Sequence, residues 1–312
     1  MKKCLVTGCS GFIGSHLADF LIDKGLVVVG TTFPDSGATE HLREKATFVS
    51  CDFRDKDNVT EVVRQANPDY VFHMAAQSLV IPSWEDPENT FKANIFGTLY
   101  LLEAIKNQGI NPVIVIACSS AEYGLTSKDE IPIKESKEFR PVSPYGVSKI
   151  GTDYLSYLYW KVYDMHILRM RPFNVTGSRK LFDATSDFAR GIVEIERGHK
   201  QSLQVGNLES VRDILDIRDA VRAIWLLAER GIPGEAYNIC SGKGYRIAQV
   251  LEQLISLAKV KIDVCRSNTK LRPLDESVYI GDNSKLCNLG WKPEISLEQT
   301  LRDTLNYWRN NL

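Results

Sequence analysis

The sequence lacks the features that mark several large classes of protein. Its 312 residues contain 38 lysines and arginines against 39 aspartates and glutamates, so neither sign of charge is in excess. A balanced chain without long runs of like charge offers no electrostatic footprint for nucleic acid or an acidic membrane surface. The longest apolar run near the middle, Val113 to Cys118, is about a third of a membrane span. We expect neither nucleic acid nor a membrane among its partners.

Cysteines are few and follow no pattern. There are seven, an odd number, and no two of them form a C-x-x-C pair. Neither a disulfide framework nor a zinc site is therefore predicted, and free thiols in a reducing compartment are expected. The chain begins Met1-Lys2-Lys3 and runs into an apolar stretch far shorter than the core of a signal peptide. We expect a cytoplasmic protein without a bound metal.

Short β-branched segments alternate with amphipathic segments along the first half of the chain. Such alternation is typical of a parallel sheet covered by helices on both faces. We predict an α/β fold, namely a Rossmann-type doubly wound parallel sheet with a smaller mixed α/β substrate-binding lobe. Strands are predicted at residues 3–7, 26–32, 47–51, 70–74 and 112–117, with helices at 13–24, from about 145, and at 187–197.

The alternation loosens after about Phe173, where Gly, Asn and Arg become denser. No internal repeat is visible, so we expect the two parts to share one body. The predicted division is 1–173 with a returning segment of about 212–232 for the NAD(P)-binding domain, about 174–211 and 233–295 for the substrate-binding lobe, and 296–312 for a C-terminal helix.

Three glycines lie between the first predicted strand and the first predicted helix. They form Thr7-Gly8-Cys9-Ser10-Gly11-Phe12-Ile13-Gly14, a G-x-x-G-x-x-G pattern. Glycine is needed where a tight turn brings the backbone close to a pyrophosphate, whose charge the N-terminus of the following helix then stabilises. A purely structural glycine turn is the alternative. We expect a dinucleotide to contact Gly8, Gly11, Phe12, Ile13 and Gly14.

The ends of the third and fourth predicted strands fit the same ligand. Asp52, followed by Phe53, can accept a hydrogen bond from the adenine amino group, and Met74-Ala75-Ala76 is small enough for a ribose to lie against the backbone. Both segments are equally well explained as ordinary strand ends. His73, just before the second of them, is more readily explained as a packed strand residue than as a ligand or a base.

The residue that distinguishes NAD from NADP normally lies at the end of the second strand. A carboxylate there binds the ribose 2′-hydroxyl and repels a 2′-phosphate. Here that strand ends Gly30-Thr31-Thr32-Phe33-Pro34, and Asp35 follows only later. The missing carboxylate at Thr32 favours NADP(H) over NAD(H), although no arginine stands in its place.

The strongest chemical signal is Ser143-Pro144-Tyr145-Gly146-Val147-Ser148-Lys149. A helix starting near Tyr145 places this residue and Lys149 on one face, where the ammonium favours the phenolate and lowers the pKa of the tyrosine. Upstream, Cys118-Ser119-Ser120-Ala121-Glu122-Tyr123-Gly124 leaves the fifth strand at the sheet edge where ligands bind. A tyrosine and a lysine at this spacing often occur by chance, but the glycine loop and the serine pair make the set specific. We predict Ser119, Tyr145 and Lys149 as catalytic residues.

On these motifs the chain resembles the extended short-chain dehydrogenase/reductases that act on nucleotide sugars. Matching segments also include His73-Met74-Ala75-Ala76-Gln77-Ser78, Asn94-Ile95-Phe96-Gly97-Thr98 and Arg171-Pro172-Phe173-Asn174. In the second lobe, Val205-Gly206-Asn207-Leu208-Glu209-Ser210-Val211-Arg212-Asp213 and Leu271-Arg272-Pro273 resemble the GDP-sugar branch. That branch contains GDP-mannose 4,6-dehydratases and the reductases of GDP-4-keto-6-deoxy-D-mannose that form GDP-D-rhamnose, and the likeness is closest to the reductases.

One position separates these two activities. The dehydratases carry a glutamate two residues after the hydroxyl residue, and it removes the C5 proton of the sugar. Aligned on Tyr123-Gly124, the hydroxyl residue is Ser119 and the place of the glutamate is taken by Ala121, which cannot accept a proton. Glu122, one residue further on, would point the other way on an extended segment. The resemblance therefore implies 4-keto reduction, with hydride transfer to the sugar C4 and Tyr145 as the proton donor.

The resemblance also implies residues for the substrate, a GDP-linked or other nucleotide-linked sugar. Arginines suit its two phosphates because a guanidinium binds phosphate oxygens in pairs; solvated surface arginines are the alternative. The candidates are Ser78, Ser119, Asn174, Arg179, Arg212 and Arg272.

The helix after Tyr145 is rich in aromatic residues, which occur more often in cores than in interfaces. In this family, however, the equivalent helix pairs with its mate, so a homodimer is expected. The aromatic residues are Tyr154, Tyr157, Tyr159, Trp160 and Tyr163.

Other functions stay open at this point: a 4,6-dehydratase, a nucleotide-sugar 4-epimerase with tightly held NAD, or a dinucleotide-sensing protein without activity. An epimerase would use the same Ser119, Tyr145 and Lys149 without net consumption of cofactor. A sensor tends to lose the tyrosine–lysine pair, which is intact here.

Overall fold

The structure is a computed structural model that describes residues 1–33, 38–267 and 277–312. Its strands are β1 (Lys3–Thr7), β2 (Val27–Thr32), β3 (Thr47–Ser50), β4 (Tyr70–His73), β5 (Val113–Ala117), β6 (Ile167–Pro172), β7 (Asn174–Thr176), β8 (Leu203–Val205), β9 (Val211–Asp216), β10 (Ala236–Ile239), β11 (Gly244–Arg246), β12 (Val264–Arg266) and β13 (Val278–Tyr279). Its helices are α1 (Phe12–Asp23), α2 (Lys56–Ala66), α3 (Val80–Glu85), α4 (Pro87–Phe91), α5 (Gly97–Gln108), α6 (Pro144–Tyr163), α7 (Ala184–Glu196), α8 (Ile217–Arg230), α9 (Ile247–Ser256), α10 (Ser284–Cys287) and α11 (Leu297–Asn311).

Seven parallel strands form the large sheet, in the order β10-β6-β5-β4-β1-β2-β3. Its central strands are apolar on both faces, because Leu5 and Val6 in β1 and Ile114 and Val115 in β5 are all fully buried. Helices therefore cover both faces: α1 and α8 enclose one hydrophobic core, and α2 and α5 enclose the other. This arrangement confirms the predicted α/β doubly wound sheet.

A smaller lobe is built from β7 onward. Strand β9 pairs in parallel with β7 and β13 and antiparallel with β11, while β8 pairs with β12 in a separate ribbon. Helices α7, α9 and α11 enclose a core of its own, which includes Phe188, Leu203, Leu251, Leu301 and Trp308. The C-terminal helix therefore packs within this lobe.

Some residues that the prediction assigned to the substrate-binding lobe belong to the large sheet or to its core. Strand β10 lies in the range 233–295 assigned to the substrate-binding lobe, yet it pairs with β6 and forms the edge of the large sheet. Leu286 in α10 and Trp291 likewise belong to the core beneath α1 and α8. The assignment of β10 to the smaller lobe was wrong, because β6 would otherwise leave unpaired backbone groups, which β10 satisfies. The rest of the division stays a prediction.

The described part of the chain contains no helix that combines the length and the apolar character needed to cross a membrane. All seven cysteines are free thiols, which confirms the expectation from their spacing. Five of them are buried, and only Cys265 is exposed.

Candidate active site

The glycine loop packs tightly against the fourth strand. Gly8 has a positive φ of 61°, and a Cβ atom there would lie 2.7 Å from the Cα atom of Ala75. A Cβ atom on Gly14 would lie 2.2 Å from the carbonyl oxygen of Gly8, to which the Gly11 N–H donates over 2.9 Å. A side chain at Gly8 or Gly14 would therefore displace the backbone of the loop.

The loop leads into the N-terminus of α1. The residue before this helix, Gly11, has no side chain that could accept the first N–H groups of the helix, those of Phe12 and Ile13. The N-terminus of a helix with open N–H groups suits a diphosphate. The residues present therefore fit a dinucleotide whose pyrophosphate lies over the glycine loop.

The wall beside the loop is formed by β1 and β4. Thr7 Oγ1 accepts the N–H of Ala75 over 3.0 Å and bonds His73 Nδ1 over 2.8 Å. The other ring nitrogen, Nε2, bonds Thr98 Oγ1 over 3.1 Å. Burial lowers the pKa of His73 to about 3, so the ring is neutral. His73 is a packed strand residue that holds the half-buried residues 74–76 at the sheet edge.

The predicted adenine end of the site lies after β3. Both carboxylate oxygens of Asp52 accept hydrogen bonds from Arg54, and the shorter Nη2–Oδ2 distance is 2.6 Å. These bonds lower the pKa of Asp52, so the carboxyl group is ionised. Phe53 is buried in the core. The Arg54 guanidinium also lies 5.6 Å from the ring of Phe33, directly after Thr32, a proximity that the sequence did not indicate.

Ser119 begins a tight 3₁₀ turn, Ser120–Glu122, after the end of β5. Its Oγ atom accepts the N–H of Ala121 over 3.1 Å, and Glu122 Oε1 accepts the N–H of Ser119 over 2.7 Å. This capping box replaces the extended segment that the sequence predicted. The side chain of Glu122 is fully buried, with Oε2 3.4 Å from Arg171 Nε.

Tyr145 and Lys149 lie one turn apart on α6, as predicted, and Ser143 caps this helix. Lys149 is buried, and its ammonium donates to the carbonyl oxygen of Ala117 in β5 over 2.7 Å. Ser119 lies close enough to the phenol of Tyr145 for its hydroxyl group to lower the pKa of the phenol. Strand β5 and helix α6 thus bring the three predicted catalytic residues together.

The phenol of Tyr145 is protonated. Burial raises its pKa to about 12, and the neighbouring hydroxyl group of Ser119 opposes this shift. The expected lowering by Lys149 does not occur, and burial lowers the pKa of Lys149 as well. Desolvation is the largest cause of both shifts and disfavours both charged forms. A protonated phenol is the form that a proton donor requires.

We therefore expect no phenolate at Tyr145 in the cofactor-free protein below about pH 10. A raised pKa means that the phenol keeps its proton as the pH rises through this range. The measurement is the near-ultraviolet difference spectrum between the wild type and Tyr145→Phe, from about pH 7 to about pH 10. A phenolate band at about pH 8 that is absent from the variant would show instead that Lys149 lowers the pKa.

Strands β9 and β13 of the second lobe lie beside the turn at Ser119–Glu122, the catalytic turn. Tyr279 in β13 donates its hydroxyl to the carbonyl oxygen of Ser120 and is paired in register with Arg212 of β9. Beside it, the carboxylate of Asp213 accepts three backbone N–H groups, and burial raises its pKa to about 6. Arg212 is therefore on a strand whose neighbour contacts the turn that begins at Ser119.

The other predicted substrate residues are dispersed. Asn174 is exposed, and its amide donates to a backbone oxygen of β9 over 3.0 Å. Arg179 turns towards α1, where it pairs with Asp19 over 2.7 Å. Ser78 is exposed in the loop after β4. Arg272, with its Leu271-Arg272-Pro273 segment, lies outside the described residues.

Asn94 is a positioning residue that the sequence prediction did not assign to the site. It is buried, donates to Ser148 Oγ over 2.8 Å, and exchanges hydrogen bonds with the backbone of Gln77. It thus joins the loop after β4 to the helix that carries Tyr145. Asn94 lies beside Ile95 in a helical segment, and a buried amide there must find hydrogen-bond partners. This was the signal that the sequence offered.

Comparisons with known proteins agree with this geometry. Residues 5–304 match the profile of the family described as GDP-mannose 4,6 dehydratase. The chain is 30% identical to the GDP-6-deoxy-D-mannose reductase of Pseudomonas aeruginosa, and the alignment covers 100% of this chain and 98% of that protein. It is also 30% identical to the GDP-mannose 4,6-dehydratase of Yersinia enterocolitica, with 96% of this chain and 91% of that protein covered.

Solved structures share the fold over the whole chain. RMD from Pseudomonas aeruginosa, complexed with NADPH, has a TM-score of 0.88 at 29% identity, with 100% of both chains covered. The UDP-glucose 4-epimerase of Thermus thermophilus, in complex with NAD, has a TM-score of 0.89 at 28% identity, with 99% of both chains covered. These proteins share one architecture and differ in reaction and in bound cofactor.

Proposed function

The chain belongs to the GDP-mannose 4,6-dehydratase family of NAD(P)-dependent nucleotide-sugar enzymes, and on that premise we propose that it is a 4-keto reductase. The proposed substrate is GDP-4-keto-6-deoxy-D-mannose and the proposed product is GDP-D-rhamnose. The observation that carries the proposal is a catalytic set without a base for elimination. Ser119, Tyr145 and Lys149 form the proposed catalytic set, whereas the side chain of Glu122 is fully buried.

A dehydratase needs a carboxylate that removes the C5 proton before water leaves the sugar. The position that would carry it is Ala121, whose methyl group accepts no proton. Glu122 uses one oxygen to accept the N–H of Ser119, and its other oxygen faces Arg171. Reduction of a ketone needs a proton donor and no such base, so these residues support reduction over elimination.

When bound, NADPH supplies the hydride that reduces the sugar C4. The residues of the chain act on the oxygen of that carbon. The protonated phenol of Tyr145 donates its proton as negative charge develops there. Ser119 Oγ accepts the N–H of Ala121 over 3.1 Å, which orients the hydroxyl so that its own proton is available to the same oxygen.

Lys149 and the glycine loop would hold the cofactor. The ammonium of Lys149 donates to Ala117 and so fixes α6 on β5, and its remaining protons are proposed to bind the nicotinamide ribose. Holding the ketone between the cofactor and the phenol supplies much of the acceleration. Arg212 is proposed to contact the substrate diphosphate. Its strand, β9, pairs with β13, which contacts the catalytic turn.

NADP(H) is proposed as the preferred cofactor. Strand β2 ends at Thr32, and neither this residue nor Phe33 carries a carboxylate that would repel a 2′-phosphate. The guanidinium of Arg54, 5.6 Å from the Phe33 ring, adds positive charge at the same edge. The bound NADPH of the Pseudomonas aeruginosa protein supports this preference, while the NAD of the Thermus thermophilus epimerase defines the alternative.

The test combines the purified protein with GDP-4-keto-6-deoxy-D-mannose and NADPH, with NADH in parallel, and follows the loss of reduced-nicotinamide absorbance. The proposal expects one cofactor oxidised for each sugar reduced, and a higher kcat/KM with NADPH. Isomerisation of a nucleotide sugar without cofactor loss would identify a 4-epimerase. Dehydration of GDP-mannose would identify a 4,6-dehydratase, and either result would overturn the proposal.

A homodimer in the cytoplasm is proposed as the working form. Helix α6 exposes an apolar stripe of Val147, Tyr154, Leu158 and Val162, whereas Tyr159 on its other side is buried. The aromatic helix is thus only partly core, and a second copy of the chain would cover the stripe. Free, mostly buried cysteines suit a reducing compartment.

Leu158→Arg is expected to convert the dimer to single chains, because it places a charge in the centre of the proposed contact. Sedimentation velocity measures the change. Val260→Arg, at an exposed apolar residue of the second lobe, is the matched control and should stay dimeric. A wild type that sediments as a single chain at working concentration contradicts the proposal.

A further inference from the structure

The carboxylate of Glu122 is part of the catalytic turn without facing the site. Its Oε1 atom accepts the N–H of Ser119 over 2.7 Å, while the N–H of Ala121 donates to Ser119 Oγ over 3.1 Å. These two bonds fix the backbone and the side chain of Ser119 in one capping box. The backbone of Ser119 is therefore held by a buried acceptor three residues further along the chain.

A buried arginine connects this acceptor to the catalytic helix. Arg171 Nε lies 3.4 Å from Glu122 Oε2 and donates to Asp153 Oδ2 over 3.0 Å. Asp153 is on α6, one turn after Lys149 and two turns after Tyr145, and both carboxylates are fully buried. One guanidinium thus links the turn of the serine to the helix of the tyrosine and the lysine.

Buried ionisable groups of this kind are retained at a cost in desolvation. Glu122 Oε2 has no hydrogen-bond partner within the described chain, and burial raises the pKa of Glu122 well above its usual range although Arg171 lies close to it. Cys118 and Asp153 also lie near it, each with its polar atom within 4.8 Å. An apolar residue would fill this position without that desolvation cost, so packing alone does not explain why a glutamate is here.

We propose that Glu122 is a positioning residue, which sets the Ser119 hydroxyl at the distance from Tyr145 that proton donation requires. It acts through the N–H of Ser119 and through the Arg171–Asp153 link, and it exchanges no proton with the substrate. The assignment rests on the proposed 4-keto reduction and goes beyond it by giving a role to a residue outside the catalytic set.

The test is a double-mutant cycle with Ser119. Glu122→Leu removes the acceptor and is expected to lower kcat about 100-fold, as loss of one oriented donor does, with the KM for NADPH unchanged. Glu122→Gln keeps an acceptor oxygen for the N–H of Ser119 and should lose less than about fivefold. In a Ser119→Ala background, Glu122→Leu should cost less than about twofold more, since the group it positions is gone.

Two outcomes overturn the assignment. If Glu122→Gln is as slow as Glu122→Leu, the group acts by its charge or by proton transfer. If the losses from Glu122→Leu and Ser119→Ala multiply, Glu122 is a structural residue without a specific effect on the serine. Should Glu122→Leu fail to fold, Tyr279→Phe loosens the same turn at the Ser120 carbonyl oxygen and enters the same cycle.

A second readout needs no substrate and separates this inference from the proposed function. In protein labelled with fluorotyrosine, the fluorine NMR signal that disappears in Tyr145→Phe reports the contact between Tyr145 and Ser119. It should shift in Glu122→Leu and in Ser119→Ala, and it should stay in place in Glu122→Gln. An unshifted signal in Glu122→Leu overturns the positioning role, whereas a wild type without ketone reduction overturns only the proposed function.

Discussion

Tyr145→Phe is expected to lower kcat for ketone reduction by about 1,000-fold, within the range that a positioned proton donor contributes. The variant keeps the ring and the backbone N–H that donates to Ser83 Oγ over 3.1 Å, so the fold and the start of α6 should persist. Only the hydroxyl group of the phenol is lost, and with it the proton that it donates. The KM for the sugar should change less than about threefold, because the missing proton matters mainly in the transition state.

Steady-state kinetics on the 4-keto nucleotide sugar measure this loss. Tyr163→Phe, which removes an exposed hydroxyl group at the last residue of the same helix, is the matched control and should keep wild-type turnover. A Tyr145→Phe variant that retains more than about a tenth of the activity would mean that another group or water donates the proton.

Gly14→Ala should weaken NADPH binding about 100-fold, equivalent to roughly 2.7 kcal/mol, a typical cost of forcing an extra methyl group into a packed site. The new Cβ atom would lie 2.2 Å from the carbonyl oxygen of Gly8, a backbone atom that cannot rotate away. The loop must therefore move, and with it the N–H groups at the start of α1.

Calorimetric titration with NADPH measures the affinity, and thermal unfolding shows how much of the effect is global. Gly109→Ala is the control, since a Cβ atom on Gly109 would meet nothing within 4 Å, although Gly109, unlike Gly14, has a positive φ, of 69°. That variant should lose about 1 kcal/mol of stability from backbone strain and bind NADPH normally. Equal affinities for Gly14→Ala and the wild type would place the pyrophosphate elsewhere.

Local signals explain why much of the fold was predictable. The predicted strand at 3–7 is β1, and the predicted helix at 187–197 overlaps α7, because strand and helix periodicities are properties of neighbouring residues. The i, i+4 spacing of Tyr145 and Lys149 is equally local, so the sequence brought these two residues together correctly.

Features that depend on contacts between residues far apart in the chain could not be predicted from the sequence. The pairing of β10 with β6 joins residues some 67 positions apart in register, Ala236 with Arg169, and no local pattern specifies it. The raised pKa of Tyr145 depends on burial by the folded chain, which the Tyr145–Lys149 spacing does not contain. The orientation of Glu122 likewise requires Arg171 from another strand.

The central claim is that the chain reduces the ketone at C4 of the sugar with net consumption of cofactor. The most direct measurement uses NADPH deuterated at C4 of the nicotinamide and mass spectrometry of the nucleotide-sugar product. One deuterium on the sugar at C4 is expected for each cofactor oxidised. A product that carries no deuterium, formed while the NADPH remains intact, would contradict it.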